Sequence, residues 1–153
     1  MRGASNGPDA IGAAGGDDRG MTEAATVGDV MSRGVISCPP ETPLRVVARM
    51  MATYGVHAVF VFERLEGDDE PRLWAVVSDL DLVAAAQLDL DELTAGAAAV
   101  TPLVSVASDR SIAEAGSLMA QYGIAHLAVT DPASRRPIGV ISTLDIARVV
   151  AGA

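Results

Sequence analysis

Residues 122–130 read Tyr122-Gly123-Ile124-Ala125-His126-Leu127-Ala128-Val129-Thr130, and 68 positions earlier the chain reads Tyr54-Gly55-Val56-His57-Ala58-Val59-Phe60-Val61-Phe62. The match extends upstream on the same offset. Ser37 meets Ser105, Met51-Ala52 meets Met119-Ala120, and Ile36, Glu41, Leu44 and Met50 meet Val104, Asp109, Ile112 and Leu118. Downstream the offset drops to 64, where Val76, Ser78, Leu80 and Asp81 recur as Val140, Ser142, Leu144 and Asp145. The change of offset falls in the polar stretch after Phe62 and Thr130, where a surface loop tolerates a difference in length. A repeat of this kind sets the architecture before any single element is assigned.

Each copy predicts the same elements. Val35–Cys38 and Leu103–Val106 read as short first strands. A helix follows in copy one, with Thr42 as N-cap and Pro43 at the first helical position, where its missing N–H costs nothing. Leu44, Val47, Met50 and Met51 form one apolar stripe at helical spacing, repeated by Ile112, Ala115, Leu118 and Met119. Gly55 and Gly123 are placed to end these helices. Strands are expected at Ala58–Phe62 and Leu73–Val77, and again at Leu127–Thr130 and Ile138–Ile141. Closing helices start near Asp79 and Thr143. The expected fold class is α/β (α+β), a β-α-β-β-α unit twice, with domains 27–93 and 94–153. A copy of about 60 residues has a marginal core alone, so the two should pack with pseudo-twofold symmetry and cover each other.

Composition narrows the function. The chain has 153 residues, net charge −9 and 3% aromatics, and all 11 basic residues are arginines. An acidic chain poor in stacking rings is not expected to bind nucleic acid. The richest apolar stretch, Ala95 to Ala107, is broken by Pro102 and falls short of the ~20 residues a bilayer requires, so no membrane span is expected. A single cysteine, Cys38, forms no intrachain disulfide, and without an export signal a reducing, cytoplasmic setting is the default. Residues 1–26 are rich in Gly, Ala, Asp and Ser with one aliphatic, Ile11, and are expected to be disordered. Met21 raises the question of a second start site.

The repeated tetrads Ser78-Asp79-Leu80-Asp81 and Ser142-Thr143-Leu144-Asp145 stand at strand-to-helix junctions. The ordinary reading of Ser-x-x-Asp is a capping box. The functional reading uses the same geometry: a helix start offers N–H groups and partial positive charge to a phosphate. An aspartate one turn in accepts from both hydroxyls of a ribose. Gly139, in the strand before the second tetrad, would let a ligand approach the backbone closely.

From about Val27 to Val150 the chain resembles a tandem pair of CBS domains, the regulatory Bateman module. The resemblance rests on Tyr122 through Asp131 followed by Ile138-Gly139-Val140-Ile141-Ser142-Thr143-Leu144-Asp145-Ile146. Copy one matches through Tyr54-Gly55-Val56-His57, Ala75 through Leu82, and Val30-Met31-Ser32. What it implies is a binding module and not an enzyme, with adenosine-containing ligands (AMP, ADP, ATP or S-adenosylmethionine) in two clefts between the copies. On that pattern one cleft combines Ser142, Asp145 and Gly139 with Ile36, Ser37, Cys38 and His57. The other combines Ser78 and Asp81 with Val104, Ser105, Val106 and Ala125. Aliphatic residues would sandwich the adenine, the acid hold the ribose, and serine, helix end and histidine face the phosphates. The resemblance also implies a homodimer, for which Met50, Val83, Leu118 and Val149 are candidate contacts, and a protein partner through which the module acts.

Copy one departs from the pattern. Ala75 stands where the family has glycine, and Asp79 adds a carboxylate beside Ser78. Residues 27–93 carry 5 Arg against 12 acids, net −7, while 94–153 carry 4 against 4, net zero. A phosphate should therefore prefer the Ser142/Asp145 cleft. His57 and His126 occupy adjacent rather than equivalent repeat positions, so no metal site is expected from them. No nucleophile set or Walker-type loop is present in the sequence. The alternative function is a ligand-free CBS pair that only dimerises or docks onto another protein.

Overall fold

Among the described residues, thirteen elements follow in chain order: α1 (Val27–Val30), β1 (Ser32–Arg33), β2 (Ser37–Cys38), α2 (Leu44–Tyr54), β3 (Ala58–Glu63), β4 (Arg72–Ser78), α3 (Asp79–Ala84), α4 (Ala95–Ala98), β5 (Ser105–Ala107), α5 (Ile112–Tyr122), β6 (His126–Thr130), β7 (Pro137–Ser142) and α6 (Thr143–Val150). The computed structural model describes residues 25–153. Residues 1–24 of the segment expected to be disordered lie outside the described residues. Its last two are structured: Ile112 N–H donates to the Ala25 carbonyl at 3.3 Å, and Thr26 bridges Ser111.

The two copies build the same sheet. In copy one β2 runs parallel to β3, and β3 pairs antiparallel with β4; in copy two β5, β6 and β7 repeat that pattern. Even the irregularity recurs, a register shift between Val61 and Phe62 and again between Val129 and Thr130. Period-2 alternation then divides the side chains. Val59 and Val61 face the α2 stripe of Leu44, Val47 and Met51; Leu127 and Val129 face Ile112, Ala115 and Met119 on α5. The opposite faces carry Ala58, Phe60, Val76 and Ala128, which form one cluster shared by the two copies. That cluster is the pseudo-twofold packing expected of two marginal units, and strands buried on both faces read as nearly continuous apolar runs.

The opening helix of each copy packs on the other. Val27 is fully buried among Val106, Ile112 and Ile141 of copy two, and its N–H donates to Arg110 O at 2.8 Å. Ala95 and Ala98 of α4 lie in the core of copy one, where Ala95 N–H donates to Thr42 O at 2.8 Å.

Two local expectations are corrected. The residue before α2 is Pro43, with ψ 141°, and not Thr42. Pro43 bridges Thr94, and Leu44 N–H donates to Leu93 O at 2.8 Å. The linker between copies thus holds Pro43 extended, and the helix begins one residue later than its fixed φ suggested. The first strands are shorter than expected at their leading ends, because Val35 and Leu103 turn into the shared cluster. The ends of α2 and α5 agree with the reading: Gly55 (φ 64°) and Gly123 (φ 62°) adopt the left-handed conformation that stops a helix.

Candidate functional site

Both tetrads are capping boxes. Asp81 N–H donates to Ser78 Oγ at 3.2 Å, and Ser78 N–H donates to Asp81 Oδ2 at 2.9 Å. At α6 Asp145 N–H donates to Ser142 Oγ at 3.3 Å, and Ser142 N–H donates to Asp145 Oδ2 at 2.8 Å. What separates them is what lies against the carboxylate.

Asp81 is occupied by its own chain. Thr101, in the segment before β5, donates its hydroxyl to Asp81 Oδ2 at 2.8 Å and lies 2.9 Å from Ser78 Oγ. Ser78 and Asp81 are both buried, at 7% and 6% exposure. The residues expected to complete this second cleft do not gather around them. Ser105 and Val106 border a groove along α5 with Arg110 and Leu118, Ala125 lines a depression with Gly123 and Thr143, and Val104 packs against the copy-two core.

Asp145 opens into a cleft of about 550 Å³ between the copies. Ser142, Asp145, Leu144 and Arg148 come from β7 and α6, Gly34, Val35 and Ile36 from the segment between β1 and β2, and Tyr54, Val56 and His57 from the α2–β3 connection. Ser32, Arg33, His126 and Val140 complete much of the wall. Four of the seven residues expected here, Ser142, Asp145, Ile36 and His57, are therefore brought together. Ser37 and Cys38 are not: they border a separate cleft of about 870 Å³ with Pro39, Pro40 and Phe62. The Cys38 thiol is buried, and desolvation pushes its pKa up.

Gly139 serves a different approach from the one expected. A Cβ there would lie 2.5 Å from the Ser32 carbonyl oxygen and 2.8 Å from Met31 Sδ. The chain's own β1 comes close at this point, pairing Arg33 with Gly139 and Ser32 with Val140. Copy one has Ala75 at the matching position, and there the bridge runs from Thr101 to Val76, one residue out of the matching register. That slip puts the Thr101 hydroxyl on Asp81. At the matching position in the other cleft stands Arg33.

Further charge in the open cleft comes from two arginines outside the expected set. Arg33 and Arg148 bring guanidiniums, with Arg148 Nη1 3.6 Å from Asp145 Oδ1. The His57 and His126 rings stack with centroids 6.3 Å apart and planes 20° from parallel. His57 Nδ1 lies 2.9 Å from Asp79 Oδ2, so the extra acid of the first tetrad pairs with a histidine. Burial, the largest influence on His126, holds its pKa below the usual histidine value; His57 acts in the same direction, and Asp79 and Asp145 oppose it. Among the described residues no group of three or more His, Cys, Asp or Glu is placed to hold a metal ion, and no helix is long and apolar enough to cross a membrane.

A family model described as CBS domain matches the chain twice, over residues 27–87 and 95–152. No curated protein matches. Among solved structures, Hypoxic Response Protein I with two coordinated zinc ions is 29% identical, with a TM-score of 0.62, and the match covers 81% of this chain and 98% of that one. CBS domain protein PAE2072 from Pyrobaculum aerophilum, complexed with AMP, is 28% identical at a TM-score of 0.69, covering 84% and 99%. The CBS domain pair of protein MJ0100, in complex with 5′-methylthioadenosine and S-adenosyl-L-methionine, shares the fold at 18% identity and a TM-score of 0.65, covering 84% and 97%.

Proposed function

The chain belongs to the CBS domain family as a tandem pair, and on that premise we propose that it is a regulatory module binding one adenosine-containing ligand in the Ser142/Asp145 cleft. The observation that carries this reading is the contrast between the two helix starts. Asp145 lines a cleft between the copies and accepts from the N–H and hydroxyl of its own cap residue, Ser142, while the matching carboxylate, Asp81, also accepts a hydroxyl from outside its cap, that of Thr101. Val35, Ile36, Val56 and Leu144 supply aliphatic walls for a purine, and Asp145 supplies the acceptor for a ribose diol. Two structural relatives above carry AMP or S-adenosyl-L-methionine with methylthioadenosine, which supports this ligand class. The role is binding and signalling to a protein partner, not catalysis, in the cytoplasm.

The same surface supports self-association. Leu80 and Val83 on α3 are 72% and 68% exposed, and Leu144 on α6 is 54% exposed. Of the contacts expected from sequence, Val83 is on this face, whereas Met50 and Leu118 are partly buried against their own cores. A twofold homodimer would cover Leu80 and Val83.

A thermal-shift and calorimetric screen of AMP, ADP, ATP and S-adenosylmethionine tests the ligand reading. A ligand at 100 times its Kd should add about 2.7 kcal/mol of stability. No heat and no shift with any of them at millimolar concentration would leave a ligand-free scaffold whose Ser142 and Asp145 only cap a helix.

A further inference from the structure

The open cleft is lined by two arginines, two histidines and the Asp145 carboxylate, with Asp79 bonded to His57, and the two histidines are stacked face to face across the boundary between the copies. We infer that this cleft selects a phosphorylated ligand and takes it up together with a proton, held on the His57–His126 stack. The inference rests on the adenosine-binding reading and adds to it the chemical class of the ligand and a dependence on pH.

The geometry works as follows. The rings come from equivalent ends of β3 and β6, one residue out of register with each other in the repeat. At 6.3 Å between centroids, a proton on one imidazole repels a proton on the other. Asp79 at the start of α3 bonds His57 and, with Asp145 on α6, acts on His126, while Arg148 on α6, Arg33 on β1 and Tyr54 at the end of α2 line the same cleft. His57 is within hydrogen-bond distance of Asp79, whereas His126 has no carboxylate bonded to it among the described residues. Burial disfavours the charged form of His126. An anionic group entering between Arg33, Arg148 and the stack supplies the missing negative charge and lets His126 accept a proton from solvent. By linkage, a ligand that causes proton uptake binds more tightly as pH falls. An uncharged nucleoside supplies no such charge, and the sulfonium of S-adenosylmethionine opposes it.

The chain contains 2 histidines, so both imidazole signals can be followed by NMR in the whole protein. The experiment titrates them with and without AMP, with adenosine as the uncharged comparison. In parallel, AMP and adenosine affinities are measured by calorimetry at about pH 6 and about pH 7.5. The expected result is an upward shift of the His126 midpoint with AMP and none with adenosine. AMP affinity should rise roughly three- to tenfold at the lower pH. In His126→Ala that rise should be lost, leaving the fall in affinity that protonation of the phosphate itself causes at about pH 6. An unchanged His126 midpoint in an AMP complex overturns the inference while leaving nucleotide binding intact. Equal affinity for adenosine and AMP also overturns it. Absence of binding by both ligands at both pH values overturns this inference and the reading on which it rests.

Discussion

Ser78-x-x-Asp81 and Ser142-x-x-Asp145 begin their helices with the same cap, yet one carboxylate is buried under Thr101 and the other lines a cleft. The cap is what the motif specifies locally. Whether the acid is available to a ligand is settled two strands away, by the register at which the preceding linker meets the sheet. Where Gly139 admits β1, the linker pairs with it through Arg33; where copy one carries Ala75, Thr101 bridges Val76. A motif repeated twice therefore has two different roles, one in holding the fold and one in presenting an acceptor.

Removing each acid in turn should separate those roles. Asp81→Ala leaves the Ser78 N–H without its acceptor and the Thr101 hydroxyl with only Ser78 Oγ, inside a buried site. The expected loss is about 3 kcal/mol, combining a lost cap and buried donors left unpaired. Chemical denaturation of the ligand-free chain measures it. A change below about 0.5 kcal/mol would mean that Thr101 does not close this cleft, since surface substitutions typically fall within that range.

Asp145→Ala should do the reverse. Its cap contributes about 1 kcal/mol to the ligand-free chain, but the ligand loses its ribose acceptor. Charge-assisted hydrogen bonds are worth roughly 1.5–3 kcal/mol each, and water replaces part of that, so affinity should fall about 10- to 100-fold. Calorimetry with the best ligand from the screen reads this directly. If Asp81→Ala weakens binding as much as Asp145→Ala, the division between the two clefts is wrong.

Much of this comparison was legible in the sequence, and the illegible part has a physical reason. The repeat, the stripe on α2 and α5, the glycine stops and both capping boxes depend on residues near each other in the chain. The expectation that a ligand prefers Asp145 over Asp81 rests on Ala75, on Asp79 and on the charge of the two copies, and the two aspartate variants test it. Thr101, Arg33 and the histidine stack were missed because each acquires its role from a partner 20 or more residues away (Asp81 for Thr101, Gly139 for Arg33, His126 for His57). Pro43 was misplaced for the same reason: its contact with Thr94 overrides its local preference for the first helical turn. Gly139 was recognised as a site of close approach, but the backbone that approaches it is the chain's own.

That point about Gly139 can be tested separately. Gly139→Ala puts a Cβ 2.5 Å from the Ser32 carbonyl oxygen, a backbone atom that cannot rotate away. β1 must shift, at about 2 kcal/mol for a strained, overpacked contact. Because Ser32 and Arg33 line the cleft, ligand affinity should fall as well. The matching change in the other copy, Ala75→Gly, should cost about 0.5–1 kcal/mol through backbone entropy and leave affinity unchanged. Stability and affinity falling together in Gly139→Ala, but not in Ala75→Gly, would tie the register of β1 to the open cleft.

The smallest effect is the pH dependence of the ligand-free chain. Burial holds His126 below the histidine value, so between its folded pKa and about 6.5 the unfolded chain binds more protons than the native one. Stability from this group is therefore fully present above about pH 6.5 and falls as pH is lowered toward the folded pKa, below which the loss levels off. Solvent screening of a partly exposed ring keeps the change under about 1 kcal/mol. Copy one has Ala58 at the matching repeat position, so the effect belongs to the open cleft alone. His126→Ala should remove it, flattening the stability profile just below about pH 6.5, whereas Asp81→Ala should lower the whole profile without changing that slope. A wild-type profile that rises as pH falls through this window would mean that the ring gains its proton on folding, and that the empty cleft already holds the charge assigned to its ligand-bound state.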